Sequence, residues 1–226
     1  MGGAAWTWSI ARCELAVQLR RPMLLSGLAL LALGSIVLLQ LAIAGSGRVD
    51  PIVGAGATWV VLLLGIVTVL GSSIGQDTDQ GTWDALLASG ASRAQVAFGK
   101  LAGMLVLVLT LHLFVLPLAW GLLAAPTSPS QALVVALAVL LADLGACAVA
   151  VLAGMVTMHA RSRELLGPVL LVPLTLPVLI VGVSISAHAT DPTFAASPPA
   201  LLAFLALYDL VFLVALWGLS DELAVR

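Results

Sequence analysis

Three ionisable side chains lie deep within long apolar stretches of this sequence, namely His112, Asp143 and Asp209. At a rise of about 1.5 Å per residue they lie roughly 18, 18 and 13 Å below the predicted outer boundary of a membrane, so they could share one layer. A carboxylate at the centre of a membrane costs about 2.5–3.5 kcal/mol, which makes each Asp a candidate for an ion or cargo path. The alternative is an interhelical hydrogen bond made by a protonated Asp. No nucleophile with a neighbouring base is visible, so we predict no catalytic site.

The only long polar segment of the chain, residues 75–100, indicates a docking surface for a partner. Within it Trp83, Leu86 and Leu87 follow i, i+3, i+4 spacing, which predicts a short helix with one apolar stripe. The acidic and small residues of the same segment that we single out are Asp77, Gly81 and Asp84.

We expect this polar segment to form two short helices joined by a turn at residues 89–91, the second running through Val96 and Phe98. They would lie across the cytoplasmic mouth of a membrane domain. The segment is either a plain surface connector or a coupling helix that docks into a separate ATPase and passes its movement to the membrane helices.

The elements that must position these residues are membrane helices. The 226 residues are 62% hydrophobic and 9% charged, with a mean hydropathy of +1.17, whereas an average soluble domain is roughly 25% charged. Runs of about 20 apolar residues can cross the hydrocarbon core. We draw six of them, at residues 23–44, 56–74, 101–124, 131–158, 165–187 and 200–220. The sequence therefore predicts one all-α integral membrane domain over residues 1–226, with no cleaved signal peptide.

The placement of basic residues predicts the orientation. With a cytoplasmic N-terminus, the inner segments hold eight of the nine Lys and Arg residues and the outer loops hold only Arg48. The positive-inside rule then places both termini in the cytoplasm. No basic patch indicates a nucleic-acid partner, and Cys13 and Cys147 are expected to be unpaired thiols.

Two further patterns concern the membrane boundaries. Trp8, Ala11 and Leu15 recur at helical spacing, which predicts an amphipathic helix lying on the inner membrane surface before the first span. Trp59 falls near the predicted outer boundary, where we expect its ring at the level of the lipid headgroups.

Two predicted spans carry residues that affect helix geometry. The fifth contains Pro168, Pro173 and Pro177, each of which removes a backbone N–H, so we expect this helix to kink or break, as a hinge or as a fixed bend. The fourth carries small residues four apart, which permit close contact within the chain or between two copies. These small residues are Ala142, Ala146, Ala150 and Gly154.

The polar segment resembles the acidic, Gly-containing coupling helix of ABC-2 type permeases. The residues that carry this resemblance are Asp77, Gly81, Asp84, Leu87 and Lys100. Within that group the chain is most similar to the CcmB family of heme exporters, through its length, its basic residues 20–21 before the first span, and its fifth span, RELLGPVLLVPLTLPVLI. It departs from that family at Trp83, at Asp84 and at residues 89–91.

The resemblance implies a permease subunit of the cytochrome c maturation system in the bacterial inner membrane, embedded in the lipid bilayer. It implies a CcmA-like ATPase subunit as partner, a second copy of this chain, heme-handling membrane subunits similar to CcmC and CcmD, and a heme chaperone similar to CcmE. Heme would be a cargo of the complex and not a bound cofactor, since His112 alone is weak evidence for a heme ligand.

ATP must be bound by the partner chain, because the sequence has no P-loop. Gly99 and Lys100 could supply the glycine and lysine of that motif, but Ala94 stands at its first glycine and Leu101 at its Ser or Thr. Two other functions stay open: an ABC-2 permease that exports a lipid, drug or polysaccharide, and an ion-coupled carrier that uses the three buried ionisable residues as a proton relay.

Overall fold

The computed structural model describes residues 3–20, 22–44, 50–79, 90–123, 125–157 and 163–220. In these residues the chain forms seven α-helices and no strand, which confirms the predicted all-α class. The helices are α1 (Gly3–Leu19), α2 (Pro22–Ala44), α3 (Pro51–Asp79), α4 (Arg93–Leu122), α5 (Pro129–Thr157), α6 (Arg163–Thr190) and α7 (Pro198–Ser220).

Five of the described helices, α3 to α7, are long and apolar enough to cross a membrane. The chain is therefore a multi-pass membrane protein. In α2 the apolar stretch whose side chains are described is Ala29–Ile43. The sixth span expected at residues 23–44 thus stays a prediction.

Proline marks the start of several helices. The helices α2, α3, α5 and α7 each begin at a proline, whose fixed φ suits the first helical turn and whose missing N–H is not needed there. Before α3 the Asp50 carboxylate accepts a hydrogen bond of 2.9 Å from the Ile52 N–H. Because Pro51 and this hydrogen bond favour a helix start, α3 begins at Pro51, five residues before the boundary at residue 56 that hydropathy indicates.

The start of α4 corrects the expected layout of the polar segment. Ser92 caps this helix by accepting from the Gln95 N–H at 3.3 Å, while the Gln95 side chain accepts from the Ser92 N–H at 3.0 Å. Gly90, with φ of 89°, makes the turn before the cap. Val96 and Phe98 therefore belong to the first turns of one continuous helix, Arg93–Leu122, and not to a separate short helix. A capping box fixes a helix start that hydropathy cannot locate.

The helix α5 lies at the centre of the bundle, in contact with α4, α6 and α7. Three small residues of its predicted ladder, Ala142, Ala146 and Ala150, are at most 2% exposed within the single chain. They therefore serve packing within the chain, one of the two interpretations that the spacing left open.

Trp59 of α3 packs against α6 and fills the space between these two helices. Its ring is 2% exposed and lies against Gly182, where a Cβ could not be accommodated. The indole N–H donates to the Ser186 hydroxyl at 2.9 Å. The expectation of a headgroup position for Trp59 is wrong, because an interhelical hydrogen bond and a glycine cleft bury the ring instead.

Candidate functional site

Two of the three ionisable residues in the apolar stretches meet at the centre of the bundle. His112 of α4 and Asp143 of α5 are 2% and 1% exposed. Nδ1 of His112 lies 2.9 Å from Oδ2 of Asp143, and its Nε2 lies 3.3 Å from the carbonyl oxygen of Leu62 on α3. One imidazole thus connects three helices.

The hydrogen-bonding capacity of these groups fixes the charge of the pair. The Leu62 carbonyl can only accept, so Nε2 must carry a proton for that contact to be a hydrogen bond. The contact between Nδ1 and Oδ2 needs one further proton, which either makes an imidazolium beside a carboxylate or leaves both groups neutral. The His112–Asp143 pair therefore has no net charge in either form, as low-dielectric surroundings require.

Asp209 of α7 lies on another side of α5. It is 4% exposed, and neither carboxyl oxygen has a hydrogen-bond partner among the described residues. The side chain packs against Gly145, where an added Cβ would lie 2.5 Å from Oδ1. Since Gly145 is two residues after Asp143, the two carboxyl groups lie at similar heights along α5, on the order of 3 Å apart in axial rise.

The second group of interest lies where α4 begins. Gly99 and Gly103 face α1: an added Cβ at Gly99 would lie 2.7 Å from the Ile10 Cβ, and one at Gly103 would lie 2.7 Å from the Glu14 Cβ. Both pairs are four residues apart, so α1 and α4 run in the same direction. This is the close helix contact that two small residues four apart allow.

A charge pair reinforces this contact. Nζ of Lys100 lies 3.2 Å from Oε2 of Glu14, with the two side chains 3% and 12% exposed. The predicted interfacial helix is thus packed lengthwise on α4. Of its expected apolar face only Ala11 is buried, at 6%, while Trp8 is 64% exposed. The two glycines and the buried charge pair explain the difference, because they bind the other face of α1 to α4.

The proline-containing helix α6 is continuous through Pro168, Pro173 and Pro177, so the predicted break is absent. Two contacts lie near these prolines. The Thr175 hydroxyl donates to the Leu171 carbonyl at 3.0 Å, and the Tyr208 hydroxyl of α7 donates to the Leu174 carbonyl at 2.8 Å. Leu174 lies three residues before Pro177, where a proline weakens the helical ladder.

Five of the predicted coupling residues lie outside the described residues: Gly81, Trp83, Asp84, Leu86 and Leu87. Asp77 belongs to the last turns of α3, although its side chain is outside the description, as is that of Pro168 in α6. The structure therefore positions the two ends of the coupling segment, at α3 and at the start of α4.

Sequence reasoning missed the contact of Glu14 with Lys100 and the role of Gly99 and Gly103. The spacing of the two glycines was a usable signal, because it is the Gly-x-x-x-Gly pattern of close membrane-helix contacts. The Leu62 carbonyl carried no signal, because a backbone acceptor is present at every position.

The chain matches the family of ABC-2 type transporters over residues 7–177, which is more than half of its length. The match begins within α1 and ends within α6, at the last of the three prolines. No curated protein matches the chain.

Proposed function

We propose that this chain, which belongs to the ABC-2 type transporter family and is a transmembrane permease component, serves cytochrome c maturation. In that process ATP hydrolysis by a separate subunit would drive delivery of heme or release of a heme chaperone. The ATPase would be CcmA-like. Permease domains of this family generally work with an ABC ATPase and often pair with a second copy.

The observation that carries the assignment to heme is the fifth predicted span, RELLGPVLLVPLTLPVLI, which is similar to the proline-interrupted span of the CcmB family. In the structure this sequence lies in α6. The Tyr208 hydrogen bond to Leu174 ties this part of α6 to α7. The stretch between the two prolines at 173 and 177 thus contacts α7 through Leu174, as the span of a permease that transmits movement would need.

The coupling path runs through the start of α4. The predicted docking helix ends a few residues before Ser92, and α4 carries α1 on its first turns through Gly99, Lys100 and Gly103. A push on residues 80–89 would therefore move α1 and α4 together. The bacterial inner membrane, with both termini cytoplasmic, is the location that this arrangement and the basic residues favour.

A second candidate function is export of a lipid, drug or polysaccharide by another ABC-2 permease. It is favoured by the departures from the CcmB family at Trp83, Asp84 and residues 89–91. An ion-coupled carrier is disfavoured by family membership, although His112 and Asp143 do form a pair.

Deletion of the gene from its native host tests the assignment to heme. We expect loss of covalently attached heme from c-type cytochromes, measured by heme staining and by reduced-minus-oxidised spectra of membranes, and recovery when the gene is restored. The apocytochrome level and b-type heme serve as controls. Normal holocytochrome c in the deletion strain, with loss of an exported lipid, drug or polysaccharide, would favour the second candidate.

A further inference from the structure

The helix α7 is attached to the rest of the chain by one narrow side. Its buried residues are Leu205, Asp209, Leu216 and Ser220. Positions separated by four and seven residues lie along one face of a helix. The opposite side is apolar and faces outward, since Leu207 and Trp217 are 59% and 66% exposed. Asp209 therefore lies within the stripe that holds α7 on the bundle.

The carboxyl group of Asp209 is enclosed without a partner. It packs on Gly145 of α5, where an added Cβ would lie 2.5 Å from Oδ1 and 2.8 Å from the Tyr208 ring. Asp209 is only 4% exposed, and within the described part of the chain neither of its oxygens has a hydrogen-bond partner. The neighbouring Tyr208 hydroxyl is directed to α6, where it donates to the Leu174 carbonyl at 2.8 Å.

Among the described residues, no cationic side chain is directed at this carboxyl. The titratable side chains described on α7 and on the helices packed against it are Arg93, Lys100 and His112 of α4, Asp143 and Cys147 of α5, His188 of α6 and Tyr208 of α7. Lys100 and His112 already have acidic partners, and the other basic residues lie in the first or last turn of their helices. An ionised Asp209 would be an isolated charge in an apolar interface, and a group in that position neutralises instead.

From this arrangement we propose that Asp209 is a proton-binding site, at which a neutral carboxylic acid holds α7 on α5 and loss of the proton weakens this contact. The site is deep, since Asp209 is eleven residues after Pro198, a distance of about 16 Å along the helix. Half of a typical hydrocarbon core is about 15 Å. Gly145 leaves space for the acid group, whereas ionisation would place a charge within the stripe by which α7 is attached.

The proposal predicts a pH dependence of stability with a definite sign. An unfolded Asp ionises near pH ~3.9, so above about pH 5 the unfolding of a chain with a neutral Asp209 releases one proton. The folded state then binds more protons than the unfolded state, and stability falls as the pH rises. The unfolding constant of the unsubstituted protein, divided by that of Asp209→Asn, should therefore rise by up to about tenfold per pH unit until the folded chain also ionises.

Equilibrium unfolding of the full chain by sodium dodecyl sulfate in mixed micelles, from about pH 5 to 9, measures this ratio. Asp209→Ala gives a second reference that cannot ionise at this position. Asp191→Asn is the control, because hydrogen bonds from the Thr193 side chain and backbone hold the pKa of the Asp191 carboxyl below its usual value. Asp191 is thus ionised in both the folded and the unfolded chain over this range, and its ratio should not change with pH.

Infrared spectroscopy tests the protonation state directly. At neutral pH, the difference between spectra of the unsubstituted protein and of Asp209→Asn should contain the carbonyl stretch of a neutral carboxylic acid. A carboxylate band in its place would overturn the proposal, because Asp209 would then be ionised in the folded chain. So would a ratio of unfolding constants that stays level with pH against both Asp209→Asn and Asp209→Ala.

Discussion

At the residue scale, His112 decides how the centre of the bundle is connected. Its two ring nitrogens face oxygens on two different helices, Asp143 Oδ2 at 2.9 Å and the Leu62 carbonyl at 3.3 Å. Burial of His112 or Asp143 alone would leave an unpaired polar atom in an apolar environment, which costs more than a hydrogen bond contributes. The three groups together satisfy one another, so the arrangement has a structural explanation without proton transport.

A substitution series on this pair separates structure from transport. Asp143→Asn keeps a partner for Nδ1 and should leave assembly and maturation activity largely intact, and Asp209→Asn should do the same. Asp143→Leu leaves Nδ1 without a partner and should destabilise the protein by about 1–3 kcal/mol. Thermal unfolding in detergent, monitored by intrinsic tryptophan fluorescence, measures this loss.

The double variant His112→Leu with Asp143→Leu removes both polar partners and should recover part of the stability that Asp143→Leu loses. If Asp143→Asn and Asp209→Asn both abolish activity while assembly and ATP hydrolysis stay normal, the carboxyl groups belong to a proton or cargo path and the structural explanation fails.

At the element scale, the contact between α1 and α4 is the feature that hydropathy could not show. This contact is possible because Gly99 and Gly103 have no side chains, and it includes one buried charge pair, Lys100 with Glu14. A buried ion pair contributes little net stability by itself, but removal of one partner leaves the other uncompensated at a cost of about 3–5 kcal/mol. The pair therefore specifies where α1 docks.

Gly103→Leu should separate α1 from α4, because even a Cβ there would lie 2.7 Å from the Glu14 side chain. We expect a lower unfolding temperature and faster proteolysis within α1, with insertion into the membrane unchanged. Gly121→Leu is the matched control on the same helix, since nothing lies within 4 Å of a Cβ at Gly121. Equal stability of the two variants would contradict the docking of α1 on α4.

Charge reversal tests the ion pair separately. Lys100→Glu should place two carboxylates 3–4 Å apart, on the order of contact distance for like charges, and lower stability. Adding Glu14→Lys restores opposite charges and should recover much of the loss, as measured by unfolding temperature in a double-variant cycle. Absence of any recovery would show that these two side chains do not interact.

Sequence reasoning found the elements better than their contacts. The apolar runs behind α3 to α7 are long enough to identify helices, and the small-residue ladder on α5 identified a packing face. Helix ends depended on short-range hydrogen bonds, such as Ser92 with Gln95, which hydropathy ignores. The burial of Trp59 could not be predicted, because Gly182 and Ser186 are more than 120 residues away in sequence. For the site, the sequence singled out His112 and Asp143, but only the fold shows that they are partners.

At the scale of the whole molecule, the polar segment joins two long helices at one end of the bundle. The helix α3 ends at Asp79 and α4 begins at Arg93. Residues 80–92 therefore connect the end of one helix to the start of its neighbour at one end of the bundle. Family membership makes this chain a permease component, and a permease needs a surface that a separate ATPase can move. The predicted apolar stripe and the neighbouring acids of this segment fit that need, since lipid would accept the stripe but anionic headgroups would repel the carboxylates.

Impermeant thiol labelling tests the predicted topology. Cys13 is exposed on α1 and serves as the inner reporter, because Ala91 beside the coupling segment is only 6% exposed. In a Cys147→Ala background, Cys13 should react only after the cells are permeabilised. Ala195→Cys, in a Cys13→Ser and Cys147→Ala background, should react in intact cells. Labelling of Cys13 in intact cells would contradict the orientation.

The most direct test of the central claim is retention of the ATPase by the Leu87→Asp variant. Leu87 belongs to the predicted stripe with Trp83 and Leu86, and each such side chain contributes about 1.5–3 kcal/mol when fully buried. Ala85→Asp adds the same charge on the opposite face of the predicted helix and is the control. We predict that Leu87→Asp inserts normally but loses the ATPase during detergent purification and abolishes holocytochrome c formation, whereas Ala85→Asp keeps both. A stoichiometric ATPase and normal holocytochrome c with Leu87→Asp would show that residues 80–89 are not the coupling helix.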